Sequence, residues 1–255
     1  MTTTTLEKST HKVVSPAEWL AARKELLQKE KEFTRLRDEL SRQRRELPWE
    51  KIAKNYVFEG PNGTESLVDL FEGRGQLLIY HFMFGPGWKE GCPSCSFLAD
   101  SFDAVRLHLA QRSTTLAVVS RATLPEIESF KKRMGWHFKW VSSFSTDFNA
   151  DFHVSFTKDE MASGKAYYNY KNAGFPSEEG PGLSAFCKRG EDIFHTYSTY
   201  ARGLDILIPT YNFLDMTAQG RDEDSLPHPM AWVRHHDRYS NGNMVDLKKL
   251  TKSSA

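Results

Sequence analysis

The sequence predicts an α/β domain, a central and largely parallel sheet flanked by helices. Gln76 to Phe84 is an almost continuous apolar run, the pattern of a strand buried on both faces of a covered sheet. From there to Val141 strand patterns alternate with helical ones, the order that builds parallel strands through crossover helices. Cys92-Pro93-Ser94-Cys95 stands between the first of these strands and the helix after it, so the chain's most distinctive chemistry falls at a strand-to-helix junction.

The elements follow in order. Residues 1–14 offer almost nothing apolar to offset the entropy of ordering them and read as a disordered tail. Ser15-Pro16-Ala17-Glu18 opens a helix that runs to about Arg45: Ser15 caps, Pro16 suits the first helical position, and Glu18 reaches back to the cap. Its apolar positions Trp19, Leu20, Leu26, Leu27, Phe33, Leu36 and Leu40 form a narrow stripe among many charges. We read that stripe as a docking edge against the domain or a second subunit; the alternative is a dimerising coiled coil, for which the heptad is not sustained.

Tyr56-Val57-Phe58, Gly60-Pro61-Asn62-Gly63 and Ser66 to Phe71 read as a strand, a tight turn and a second short element, an entry hairpin. After the apolar run, Gly85-Pro86-Gly87 leads through the cysteines to a helix whose Phe97, Leu98, Phe102, Val105 and Leu109 recur at helical spacing. Thr114 to Ser120 is a buried strand, and Thr123-Leu124-Pro125-Glu126 caps and opens a helix through Met134. A shorter strand is expected at His137 to Val141, then loops with one or two short helices from Ser142 to Gly182. Leu183–Cys187 and Ile193–Tyr197 read as an antiparallel hairpin closing the sheet edge, with helix again from Leu204 through Leu214 and a polar tail after Asp246.

The bulk properties narrow the function. In 255 residues, 34 basic and 33 acidic side chains nearly cancel, so no field draws the protein onto nucleic acid or anionic lipid, and neither nucleic acid nor membrane is expected as a partner. The polar, threonine-rich Met1 to Thr10 lacks the basic-then-apolar pattern of a secretory signal, and no apolar run reaches membrane-spanning length; a cytoplasmic location is expected. Three cysteines do not make a secreted disulfide framework, and a close pair in a reducing compartment points to catalysis or metal.

A cysteine is a useful nucleophile only as a thiolate, and the start of a helix lowers its pKa. Cys92 occupies that place, and Cys95, one turn along the same face, can attack a mixed disulfide formed on Cys92. Cys92 is therefore assigned as the attacking thiol and Cys95 as the more buried resolving one, with Pro93 starting the helix and stiffening the loop. No second Cys-x-x-Cys or His-x-x-x-His accompanies the pair, so no metal and no other cofactor is expected. Lys89 would favour the thiolate and Glu90 oppose it; Trp88 is a candidate beside it, and His81, at the strand end, is a candidate tuning residue, with a hydrogen-bonded core histidine as the alternative. Cys187 is expected to be a buried core thiol.

The motifs also resemble known families. Pro181-Gly182-Leu183-Ser184-Ala185-Phe186 before Gly190-Glu191 resembles the segment that in thioredoxins sets a cis-proline opposite the dithiol; by that resemblance Pro181 would shape the substrate groove. From about Trp19 to Tyr239 the chain resembles a bacterial thioredoxin-like family catalogued as domain of unknown function eight-nine-nine. The stretches that carry this are Tyr80-His81-Phe82-Met83-Phe84-Gly85-Pro86, Cys92 to Phe97, Ser142-Ser143, Asp147 to Phe152 and Thr196 to Gly203. The resemblance implies a thioredoxin-like, peroxiredoxin-like central sheet with a long N-terminal helix and a C-terminal extension, and a dithiol-disulfide oxidoreductase or peroxiredoxin-like activity. Lys89 stands where the peroxiredoxin motif has Thr or Ser, which puts peroxidase activity in doubt.

The expected organisation is a tail at 1–14, a helical extension at 15–47, a thioredoxin-like domain at 48–203 and, at 204–255, an extension packed on that domain. Tyr197, Tyr200, Arg202, Tyr211, Trp232, Arg234, His235, His236, Asp237 and Tyr239 exceed what a minimal disulfide exchanger needs. They either fasten the extension or, with His195 and Arg202, form a small-molecule or metal pocket beside Cys92. The leading reading is a thiol-disulfide oxidoreductase acting on a protein or small-molecule disulfide; a metal- or haem-binding protein, a small-molecule enzyme, and a homodimer built on the N-terminal helix are the alternatives.

Overall fold

The computed structural model describes residues 11–239, so residues 1–10 of the expected tail and the polar segment after Asp246 lie outside the described residues. The chain forms two compact units that meet in sequence between Pro48 and Trp49. The first unit's helix, α1 (Pro16–Glu46), starts as its sequence requires: the Glu18 amide donates to Ser15 Oγ and the Ser15 amide donates to the Glu18 carboxylate. No residue of α1 is buried, and the helix is held by its cap and by same-face pairs such as Arg42 with Glu39.

The second unit contains β1 (Glu50–Lys51), the hairpin β2 (Val57–Gly60) and β3 (Gly63–Ser66), and β4 (Gln76–His81). Then come α2 (Pro93–Ala99), α3 (Phe102–Ala110), β5 (Thr114–Ser120), α4 (Leu124–Met134) and β6 (Lys139–Ser142). Short elements follow, α5 (Phe148–Asp151), α6 (Lys158–Ala162), β7 (Ala166–Tyr168) and β8 (Lys171–Ala173), before the long hairpin β9 (Gly182–Arg189) and β10 (Asp192–Tyr200), and finally α7 (Pro209–Leu214). Eight strands make one sheet in the order β1-β10-β9-β4-β5-β6-β2-β3. β4, β5 and β6 are parallel neighbours, as βαβ crossovers dictate, and β9 lies antiparallel on the other side of β4. Parallel βαβαβ followed by an antiparallel hairpin, with the cysteine motif after the central strand, is a thioredoxin-like arrangement.

Alternation along the central strands divides the core between two faces. Leu77, Ile79, Ala117, Val119 and Val141 join Phe148, Phe152 and Phe186 on one face. Tyr80, Val118 and Trp140 join Cys95, Leu98, Phe102, Ile127 and Phe130 on the other, the face covered by α2, α3 and α4.

Several expectations are corrected. The helix after the cysteines is two helices, because Asp100 and Ser101 spend their side chains elsewhere: Ser101 Oγ donates to the Leu98 carbonyl, and the Asp100 carboxylate takes the Trp136 indole. The apolar run leaves strand geometry at His81 and continues to Phe84 as an anchored segment, Phe82 donating to the Val119 carbonyl. β10 is not the sheet edge, since β1 pairs outside it. The 142–182 region adds the β7–β8 hairpin to its two short helices, and the return to helix begins as a 3-10 segment, Ala201–Leu207.

Candidate dithiol site

Cys92 is the N-cap of α2 and Pro93 its first residue. The Cys92 amide donates to the Met83 carbonyl at 3.0 Å, while the Ser96 amide and hydroxyl both donate to the Cys92 carbonyl at 3.0 and 2.9 Å. Gly91 before it is buried between aromatic rings with no room for a side chain, so the turn into α2 is fixed from both ends. Cys92 is half-buried and Cys95 buried, and neither is bridged.

The two thiols are driven apart. Cys92 is lowered from the usual thiol range to about 7, chiefly because the Cys95 thiol donates to it, with help from the Cys95 and Ser94 amides and the Ser94 hydroxyl against the cost of burial. Cys95 is pushed well up, first by burial and then by the proton it shares with Cys92. The Tyr80 hydroxyl, buried on the same face of β4, hydrogen-bonds Cys95 and works against that rise, as does the Met83 amide. Chemically this is a thiolate at the rim with a protonated thiol behind it.

A C-terminal strap, residues 230–239, closes on the loop that delivers Cys92. His235, buried, faces the Gly91 carbonyl through Nε2 at 2.8 Å and Arg133 Nη2 through Nδ1 at 2.8 Å. A carbonyl only accepts and a guanidinium only donates, so His235 is the neutral tautomer protonated at Nε2. Arg133 also binds Asp237 and Glu90, and Arg238 binds Glu90. His236 reaches Asp100 at 2.7 Å, and Trp232 packs edge-on against Phe97. The His235-His236-Asp237 group therefore does stand beside the dithiol, as a fastening.

The remaining candidates scatter. His81 points to the opposite face from Tyr80, stacked on Phe148 and Phe152 at 5.6 and 5.7 Å, and does not join the cysteines. Burial, then the neighbouring His195, lowers it to about 3. Its Nε2 meets Ser184 Oγ at 2.8 Å, Ser184 meets Ser198 at 2.8 Å, Ser198 meets His195 Nε2 at 2.7 Å, and His195 Nδ1 faces Glu50 at 3.4 Å. His195 thus belongs to this relay rather than to a pocket at Cys92. Trp88 and Lys89 line a groove of about 360 Å³ with Phe130 and Arg133, next to the cysteine loop. Pro181 and Arg202 line a different groove of about 1120 Å³, and Arg202 is tied to Asp205. Pro181 follows a trans peptide bond, contrary to the cis-proline resemblance. Cys187 is half-buried, not a core thiol. Among the described residues no group of three or more His, Cys, Asp or Glu could hold a metal ion, and no helix is long and apolar enough to cross a membrane.

Sequence reasoning missed Glu179. Buried and bridged to Ser155, it accepts from Ser155 Oγ at 2.6 Å and from Arg121 at 3.1 Å, and burial pushes its carboxyl up to about 7 against those bonds.

A family model described as "Bacterial protein of unknown function (DUF899)" matches residues 8–239. The chain belongs to that family. Among solved structures it is similar to a cysteine-to-serine mutant of Xanthomonas campestris peroxiredoxin Q, at 16% identity and TM-score 0.44, covering 66% of this chain and 98% of that one. It is similar also to a cysteine-to-serine mutant of Xylella fastidiosa PrxQ, at 15% identity and TM-score 0.42 over 65% and 94% of the two chains. Peroxidoxin BcpB from Mycobacterium tuberculosis aligns at 12% identity and TM-score 0.43, over 64% and 95%. No curated protein matches.

Proposed function

We propose that this member of the family is a dithiol-disulfide oxidoreductase. The observation that carries the reading is the division of labour at α2: a rim cysteine favoured as thiolate near neutral pH, with a buried, protonated cysteine one turn behind it. The Cys92 thiolate attacks one sulfur of a substrate disulfide; that S–S bond breaks, and the other substrate sulfur leaves as a thiol after taking a proton from solvent. Cys95 then gives up its proton and attacks Cys92 sulfur, releasing the second substrate thiol and leaving a Cys92–Cys95 disulfide. The substrate gains two electrons, and an external thiol reductant returns them to the protein. The substrate is a protein or small-molecule disulfide.

The test is a redox titration of the free thiols in glutathione or dithiothreitol buffers. A reversible two-electron transition is expected, abolished by Cys92→Ser and by Cys95→Ser, while alkylation of Cys92 by iodoacetamide rises with pH to half its limit at about 7. If no poise produces the disulfide, the reading fails.

A further inference from the structure

Trp19, Leu26, Phe33, Leu40 and Leu47 stand seven residues apart along α1 and its C-cap, and they are 44 to 66% exposed. A straight helix carries a seven-residue column slowly around its axis, whereas two helices in a left-handed supercoil keep it on one side. Taking this column as heptad position a, position d holds Ala22, Lys29, Leu36 and Gln43. The seam is therefore complete on a and half-complete on d, which is why a and d read together do not look sustained.

The flanking columns give the orientation. Position g is Glu18, Glu25, Glu32, Glu39 and Glu46 throughout, and position e is Arg23, Glu30, Arg37 and Arg44. In a parallel pair each g residue faces the e residue five positions on in the other helix. That sets Glu18 against Arg23, Glu32 against Arg37 and Glu39 against Arg44, with Glu25 and Glu30 the one like-charged match. An antiparallel pair would instead set the glutamate column against itself.

We propose that α1 pairs in parallel and in register with α1 of a second copy of this chain, burying the Trp19-to-Leu47 column. Charge complementarity selects the partner, since the pattern fits a helix that carries the same two columns. Lys29 and Gln43 in the seam weaken the pair, so the dimer dissociates on dilution.

Sedimentation equilibrium of the full chain over about 1 to 100 µM tests this. A monomer–dimer equilibrium is expected, abolished in a Leu26→Lys/Phe33→Lys variant whose circular dichroism shows α1 still helical. Glu32→Arg should weaken association roughly tenfold, and adding Arg37→Glu should restore it. In a chain with Cys92, Cys95 and Cys187 changed to Ser, Leu40→Cys should give a covalent dimer on mild oxidation, because a parallel seam sets position 40 against itself. A monomer at every concentration, or a dimer indifferent to the Leu26→Lys/Phe33→Lys change, overturns the proposal. Loss of the dimer in that variant without a Leu40→Cys cross-link overturns the parallel register.

Discussion

A β-carbon on Gly91 would lie 2.5 Å from the Phe82 ring and 2.9 Å from that of Phe130. Both rings are core residues and cannot retreat, so Gly91→Ala should cost about 1 to 3 kcal/mol in urea denaturation and slow Cys92 alkylation by moving its backbone. Unchanged stability would mean that the loop is looser than its packing. Tyr80→Phe removes one hydroxyl and little volume: alkylation of Cys92 should hold while the second step slows, and the mixed disulfide should accumulate in a single turnover with a disulfide reagent. Release of both thiols at the native rate would remove Tyr80 from the site. The cysteines and Pro93 are legible in the sequence because their spacing states the chemistry. Tyr80 is hidden inside an apolar run, and Ser177-Glu178-Glu179-Gly180 looks like a solvated turn, so nothing local announces a buried carboxyl. His81 lies on the side away from the cysteines, as its period-two alternation with Tyr80 already requires.

Elements are legible where their signals are local. The Thr123–Glu126 capping box and the fully buried run of β5 predict both to the residue. The strap cannot be read this way, since Arg133 and His235 are 102 positions apart and only the fold brings them together. Arg133 holds three acceptors on two segments, so Arg133→Ala should leave Glu90 and Asp237 without their shared cation and deprive His235 of a donor. A loss of about 1 to 3 kcal/mol is expected, with faster amide hydrogen exchange both in residues 230–239 and at Gly91–Cys92. Faster exchange in the strap alone would show that the cysteine loop stands without it. The stripe on α1 shows the limit of reading apolar positions alone: Trp19, Leu26, Phe33 and Leu40 mark a face, and only the charged columns beside them bear on what would cover it.

Across the whole second unit, two buried groups set opposing slopes of stability against pH. His81, ordinarily near 6.5, is held down to about 3, so between these values the unfolded chain takes a proton that the native one refuses. Its contribution is complete above about 6.5 and is lost as pH falls toward 3. Glu179, ordinarily near 4.5, is raised to about 7, so the native state keeps a proton that the unfolded chain releases, and stability falls as pH rises through that window. For Glu179 the full effect is about 3 kcal/mol. Urea midpoints from pH 4 to 8 should show Glu179→Gln flattening the fall above pH 4.5 and His81→Gln flattening the acid limb; parallel curves for either variant and the native protein would refute its assignment.

The hydroxyl and imidazole contacts that cross β4, β9, β10 and β1 also have a direction. Glu50, exposed at the end of the line, can only accept, so a neutral His195 turns its Nδ1–H outward and takes the Ser198 hydroxyl on Nε2. Ser198 must then receive from Ser184, and Ser184 from His81 Nε2. That leaves His81 Nδ1 bare, the one ring atom on this line with no partner among the described residues, and a bare lone pair is an easier orphan to bury than an N–H. A carboxylate in water thus decides which nitrogen of an imidazole in the core carries the proton, three strands away.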